Sequence, residues 1–162
     1  MEFHKISGVL LSGVVDLKGQ DPQEFLEKAL ESRWPNATPG YLMENHRIEK
    51  VTYRPLPEGD CKYANRRLYT DVEPYEIIGM RGKRTYLLRE MKVEKNPEWK
   101  PEFVPGGFSA ICTNNAMQQW IIEPDPNGGM KELRLNKNGS LGGKYNVHTF
   151  SDVPIKHYDY NF

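Results

Sequence analysis

The chain has 162 residues, with 22 Lys plus Arg against 22 Asp plus Glu, so its formal net charge is zero. That balance excludes a general nucleic-acid coat, an acidic DNA mimic and a polybasic membrane binder, each of which needs a strong charge bias, and leaves room for a local patch. The length suits one domain, or two small lobes sharing a core. A hydrophobic content of 38% with six Phe, nine Tyr and three Trp supports a packed interior and argues against disorder.

Ile6 to Leu17 is rich in β-branched and aliphatic residues and reads as one buried strand, bent or bulged at Gly8 or Gly13. Asp21-Pro22-Gln23-Glu24 then supplies an N-cap acid, a proline at the first helical position and a glutamate at the capping-box position. Phe25, Leu26, Ala29 and Leu30 form the apolar face of the helix that follows, opposite Glu24, Glu27, Lys28 and Glu31. The helix ends near Arg33, where Trp34-Pro35-Asn36 stops it. A loop rich in Pro, Gly and Asn leads to a second strand over Arg47 to Arg54. Strand, helix and strand make a small lobe over residues 1–57, with the helix in either a parallel crossover or a split arrangement.

Residues 58–67 read as a linker punctuated by Gly59, Asp60 and Asn65. Over 68–162 the strand candidates are short and turns recur: Leu68–Thr70, Tyr75–Met80, Thr85–Met91, Phe108–Thr113, Trp120–Glu123, Lys131–Leu135, Gly143–Val147 and Ile155–Tyr158. Asn136-Lys137-Asn138-Gly139 is a hairpin turn, because Asn-Gly tolerates positive φ. The expected fold is α+β: a strand-helix-strand lobe followed by a small antiparallel sheet or half-open barrel.

Two cysteines, Cys61 and Cys112, are too few for a disulfide scaffold and read as thiols. The opening Met1-Glu2-Phe3-His4-Lys5 lacks a signal-peptide charge pattern, and the apolar run Val9 to Val15 is far shorter than a membrane span. The expectation is a soluble protein of the cytoplasm with no membrane partner, cofactor or metal.

Four clusters invite a functional reading beside a plainer one. Asn114, Asn115, Gln118 and Gln119 gather just before Trp120. With Phe108 and Trp120 as stacking faces, Asn114, Asn115 and Gln119 suit the edge of a base, ribose or peptide; otherwise they form a turn and a strand-edge cap. Arg81, Lys83 and Arg84, with Gly82, form a basic hairpin suited to phosphate, or a solvated turn neutralised by Glu73, Glu76 and Glu90. Arg66-Arg67 extends this patch if the preceding segment folds back.

His148 and His157 are the closest histidine pair, and neither has a cysteine nearby in sequence. With Cys112 or Asp159 they are catalytic candidates, requiring convergence in space. Ser109 does not sit in a nucleophile elbow. Finally, His157-Tyr158-Asp159-Tyr160-Asn161-Phe162 is too aromatic for a frayed tail and should pack on the body or on a second copy of the chain.

Several strings carry a resemblance over 68–162: Tyr69-Thr70-Asp71-Val72-Glu73-Pro74-Tyr75-Glu76, Trp99-Lys100-Pro101-Glu102 and Pro105-Gly106-Gly107-Phe108. They continue through Cys112-Thr113-Asn114-Asn115, Gln119-Trp120-Ile121-Ile122 and Tyr158-Asp159-Tyr160-Asn161-Phe162. This part of the chain resembles a family of small phage and prophage proteins with no settled biochemical activity. Relatives often carry a histidine before the cysteine, where this chain has Ile111. The resemblance implies an accessory protein of a mobile element that acts in the host cytoplasm against host defence or in host takeover. The leading expectation is a binding protein for a nucleotide, a nucleic acid or a host protein. Its groove would lie beside Gly106–Trp120, with Arg81, Lys83 and Arg84 supplying phosphate charge. A small hydrolase or nucleic-acid-processing enzyme using His148 or His157 with Cys112 or Asp159, and an oligomerising structural or virion-associated module, are the alternatives.

Overall fold

The computed structural model describes residues 1–37, 39–107 and 109–161. The run expected as one strand is a hairpin: Glu2–Gly8 (β1) pairs antiparallel with Gly13–Val15 (β2). The intervening loop hangs on His46, whose Nε2 accepts from Leu10 N at 3.3 Å and Leu11 N at 3.1 Å while Nδ1 faces Leu42 O at 2.6 Å. The His46 ring packs so close to the turn that a Cβ on Gly8 would lie 2.1 Å from it, which is why the chain turns at a glycine here.

Pro22–Arg33 (α1) starts as the sequence predicts, with Asp21 Oδ1 accepting from Gln23 N and Glu24 N, both at 2.9 Å. Glu24 pairs with Lys28 at 2.6 Å, one turn on, in the i,i+4 arrangement. The loop expected after α1 contains a second helix, Pro39–Glu44 (α2). His46–Thr52 (β3) then lies antiparallel to β1 in register from Glu2↔Thr52 to Gly8↔His46, so of the two arrangements left open by the sequence the parallel crossover is not formed. The helices cover one face of this hairpin-plus-strand unit, burying Ile6, Leu26, Leu30 and Leu42 with Val15, Phe25, Trp34 and Ile48 against them.

The stretch 58–67, expected as a linker, contains a strand, Tyr63–Arg67 (β4). Val72–Arg81 (β5) and Thr85–Lys95 (β6) form the long central hairpin. Phe103–Gly106 (β7) and Ser109–Cys112 (β8) make a separate two-stranded ribbon. After a 3-10 turn at Asn115–Met117 come Trp120–Pro124 (β9), Met130–Arg134 (β10) and Val147–Ser151 (β11). The strand expected at Leu68–Thr70 falls on a bend, that at Gly143–Val147 falls on a turn and reaches β11 only at Val147, and Ile155–Tyr158 contributes only an isolated bridge from His157 to Val72.

The main sheet has nine antiparallel strands in the order β11-β4-β5-β6-β10-β2-β1-β3, with β9 on the far half of β6. It ends at β11 on one side and β3 on the other, so of the antiparallel sheet and half-open barrel expected it is the open antiparallel sheet that forms. Strands from both parts of the chain meet where Val14 of β2 pairs with Met130 of β10. Among the described residues no helix is long and apolar enough to cross a membrane.

Two further cores lie on the sheet. One holds Ala64, Tyr75, Ile77, Met80, Tyr86, Leu88 and Leu141; the other holds Val14, Val51, Tyr53 and Leu87. Beside the second, Glu132 accepts from Tyr53 Oη at 2.6 Å, Lys5 Nζ at 2.9 Å and Arg81 Nη2 at 3.0 Å. Burial raises the Glu132 carboxyl pKa, but the three donors outweigh it and hold the group below its ordinary value. One carboxylate thus ties β1, β5 and β10 to the segment after β3. Glu132→Ala should cost about 2 kcal/mol, because it leaves the part-buried Lys5 ammonium and the buried Tyr53 hydroxyl without their partner, while Arg81 remains open to solvent. Tyr53→Phe should cost only about 1 kcal/mol. Urea midpoints of the two variants check this order.

Candidate nucleic-acid interface

The β5–β6 turn is tight, with Gly82 at φ 59°, a left-handed conformation that favours glycine. It presents Arg81, Lys83 and Arg84 beside Arg134 at the end of β10, which pairs with Thr85. Together with Glu132 these four cations line an open groove of about 520 Å³. Arg84 is anchored on the carbonyl of Leu135 through Nε at 3.2 Å and Nη2 at 2.6 Å. Arg54 leans in from the segment after β3, its Nη2 3.4 Å from Gly82 O. Among the described residues, Lys83 and Arg134 have no carboxylate partner. The neutralisation expected from Glu73, Glu76 and Glu90 does not occur here: Glu76 pairs with Arg89 at 2.6 Å, Glu73 with Arg66 at 3.1 Å, and Glu90 accepts from Tyr75.

Two more turns stand at the same end of the sheet. Asn136–Gly139 follows β10, closed by Asn136 N donating to Ser140 O at 2.8 Å and with Gly139 at φ 82°, as its Asn-Gly predicts. Gly142 N donates to Arg134 O at 3.1 Å, which brings the Gly143–Asn146 turn alongside. These turns carry Lys137 and Lys144, and Tyr145 stands 85% exposed with the Lys144 ammonium 5.2 Å from its ring centre. Arg54 escaped sequence reasoning with no signal in the chain around it, whereas Arg134, Lys137 and Lys144 escaped it although a signal existed. No acid occurs in 77–89 or 133–151, two windows that hold seven Lys and Arg in an otherwise balanced chain.

The amide cluster lies elsewhere. The basic turn sits at the Thr85 end of β6 and Trp120 pairs with Lys95 at the other. Ten residues of strand at ~3.3 Å each separate them by roughly 33 Å. The single groove expected to unite Arg81, Lys83 and Arg84 with Asn114, Asn115, Gln119 and Trp120 is therefore not formed. Arg66 likewise belongs to the middle of the sheet and does not extend the basic turn. Phe108, the expected stacking partner, lies outside the described residues.

The amides instead fasten the chain to itself. Asn114 accepts from Glu102 N at 3.0 Å and donates to Lys100 O at 2.8 Å. Asn115 donates to Asp159 Oδ1 at 2.9 Å and accepts from Gln118 Nε2 at 2.7 Å and Tyr160 N at 3.3 Å. Gln118 also donates to Tyr158 O, and its Oε1 accepts from Tyr158 N and Trp120 Nε1, both at 3.0 Å. Gln119 Oε1 accepts from Asn96 Nδ2 at 3.0 Å. Asn161 completes the clasp, accepting from Cys112 N at 2.6 Å and donating to Cys112 O at 3.2 Å. Tyr160 packs against Trp99, Phe103 and Tyr158, so the tyrosines of the C-terminal tail close on the body.

The catalytic candidates are not brought together. Cys112 is buried, with its Sγ 3.3 Å from Asn114 Oδ1. His157 is held by backbone to Val72, and Asp159 caps Asn161 N at 2.9 Å. His148 is fully buried on β11, its ring edge-on to Tyr75 at 4.9 Å and Nδ1 3.2 Å from Asn146 O. Among the described residues no hydrogen bond joins any two of Cys112, His148, His157 and Asp159.

Burial, reinforced by the charge of Lys131, lowers the His148 pKa to about 4. The unfolded chain titrates this group near 6.5. The unfolded state therefore binds the proton first, so this stability is fully present above about pH 6.5 and is lost as pH falls toward 4, by up to ~3 kcal/mol. His148→Leu should flatten urea-midpoint-versus-pH over that window, whereas an unchanged slope would refute the assignment. Asn115→Ala should loosen the clasp by about 2 kcal/mol. Amide exchange at Cys112, Asp159 and Tyr160 should then accelerate while β5 and β6 stay protected.

No protein-family model matches the chain, and no curated protein or solved structure matches it either.

Proposed function

We propose that the chain is a nucleic-acid-binding protein that holds a sugar-phosphate backbone across the basic end of its sheet. The observation that carries this reading is the groove lined by Arg81, Lys83, Arg84 and Arg134 against the lone acid Glu132. Arginines present forked donors to phosphate oxygens, and a glycine turn lets a strand approach the backbone closely. The cations extend over three neighbouring turns through Lys137 and Lys144, a span that suits a polymer better than a single nucleotide. Tyr145 offers a stacking face beside Lys144, which favours single-stranded segments, whose bases are free to stack. The resemblance of 68–162 to phage proteins supports an accessory role within a host cell, acting on host or phage nucleic acid.

Fluorescence anisotropy with labelled single-stranded and duplex oligonucleotides tests this reading. About four phosphate contacts on a single strand should give a slope of roughly −3 for log affinity against log salt. Lys83→Glu with Arg134→Glu should weaken binding at least about tenfold, since a reversed charge repels the backbone at two of those contacts. Tyr145→Ala should cost about 1 kcal/mol or more on single strands and little on duplex. Absence of binding at low salt, or binding indifferent to the charge reversals, would sink the proposal.

A further inference from the structure

A second polar cluster lies on the sheet face away from that groove and takes no part in the nucleic-acid reading. Cross-strand partners share a face, as do residues two apart along a strand. The pairs Arg66↔His148, Arg66↔Glu73 and Tyr75↔Glu90 therefore project together, and Lys131 joins them through its pairing with Leu88. A cavity of about 260 Å³ opens among them, bounded by Arg66, Glu73, Tyr75 and Glu90, by Lys156, and by an apolar wall that includes Met91 and Val93.

The Arg66 guanidinium is only partly engaged. Its Nη1 donates to Glu73 Oε2 at 3.1 Å, while its Nε is buried with no partner. Among the described residues nothing accepts from Nη2 either, so the Nε–Nη2 edge, the fork that takes both oxygens of a carboxylate, is unpaired, and a small side-chain rotation toward the cavity would present it. A buried N–H without an acceptor is uncommon, and a bound water or ligand oxygen would satisfy it. Lys156, on the wall of the same cavity, has no carboxylate partner among the described residues; its ammonium lies 5.8 Å from the Trp120 ring centre. Lys131 stands 3.8 Å over the Tyr75 ring, and burial together with nearby Arg66 lowers its pKa.

The opposite charge is present as well. Glu90 is engaged through Oε1 alone, by the Tyr75 hydroxyl at 3.2 Å, and with Glu73 it repels any second negative charge on a ligand. We propose that this cavity binds a small zwitterion of the α-amino-acid class, its carboxylate on the Nε–Nη2 edge of Arg66 beside Lys156 and its ammonium on Glu90. Met91 and Val93 provide the wall for the ligand's side chain. Size and charge both disfavour a nucleotide here. The site is independent of the basic groove.

Isothermal titration of the full chain with the standard α-amino acids, acetate, methylamine and inorganic phosphate, each alone, tests this site. At least one amino acid should bind at least about tenfold more tightly than acetate, methylamine or phosphate, a difference of about 1.4 kcal/mol. Arg66→Lys keeps the charge but loses the fork and should weaken that binding by a similar factor, as should Glu90→Gln. Lys83→Glu with Arg134→Glu should leave it unchanged, which separates this site from the groove. Should Arg66→Lys not fold, Glu90→Gln decides, because Glu90 is exposed. No amino acid binding, acetate or phosphate binding as tightly, or affinity retained in both variants would overturn the proposal.

Discussion

Pairing along β6 is the constraint on which the rest of the molecule depends. This strand of 11 residues bonds to β5 and β10 over its first half and to β9 over its second. An extended strand is a rigid ruler: it fixes what stands at each end and allows nothing at one end to reach the other. The basic turns therefore gather at the Thr85 end and the amide clasp at the Lys95 end. Register along the same strand also sorts its side chains, setting Tyr86, Leu88 and Glu90 on one face and Leu87 and Arg89 on the other.

That sorting gives the first face an apolar and a polar half. Toward the basic end it buries Tyr86 and Leu88 with Ala64, Ile77 and Leu141. Toward the middle it continues as Tyr75, Arg66, Glu73, Glu90 and Lys131, with His148 enclosed beneath. Buried ionisable groups are costly unless partnered, and this cluster meets the cost in part: Arg66 has Glu73, Tyr75 has Glu90, and Lys131 has an aromatic ring. Glu132, on the opposite face, is the contrasting case. Its three donors satisfy it fully, so it acts as a structural tie, while the half-engaged guanidinium of Arg66 leaves a place for a ligand.

The amide cluster shows how a residue type can point in two directions. Asn and Gln before a strand suit a ligand edge as well as they suit a backbone. The choice here rests on Asp159, Tyr160 and Asn161, which return from more than forty residues away to take the hydrogen bonds of Asn115 and Cys112. The aromatic tail and the amides form one device: tyrosines supply apolar area against Trp99 and Phe103, and amides fix the register.

Signals local in the chain were legible from the sequence alone. Asp21-Pro22 starts α1, Trp34-Pro35 ends it, Asn138-Gly139 makes a turn, and β5, β6, β9 and β10 appear close to where their apolar residues predict. The basic hairpin was legible too, because Arg81, Lys83 and Arg84 are neighbours in sequence. Short segments lacking apolar alternation were misplaced: the polar β4, whose fit depends on partners β5 and β11, and α2, whose six residues are too few to show a period. Tertiary structure alone decided that Arg134, Lys137 and Lys144 join the hairpin. It likewise decided that Arg66 pairs instead with Glu73, on a cavity that Glu90 and Lys156 also line, and that Trp120 lies a full strand away from the basic end. The physical reason is the same throughout. Periodicity and turn chemistry act over a few residues, whereas strand order and register are set by pairing between distant segments, and register determines which charges share a face.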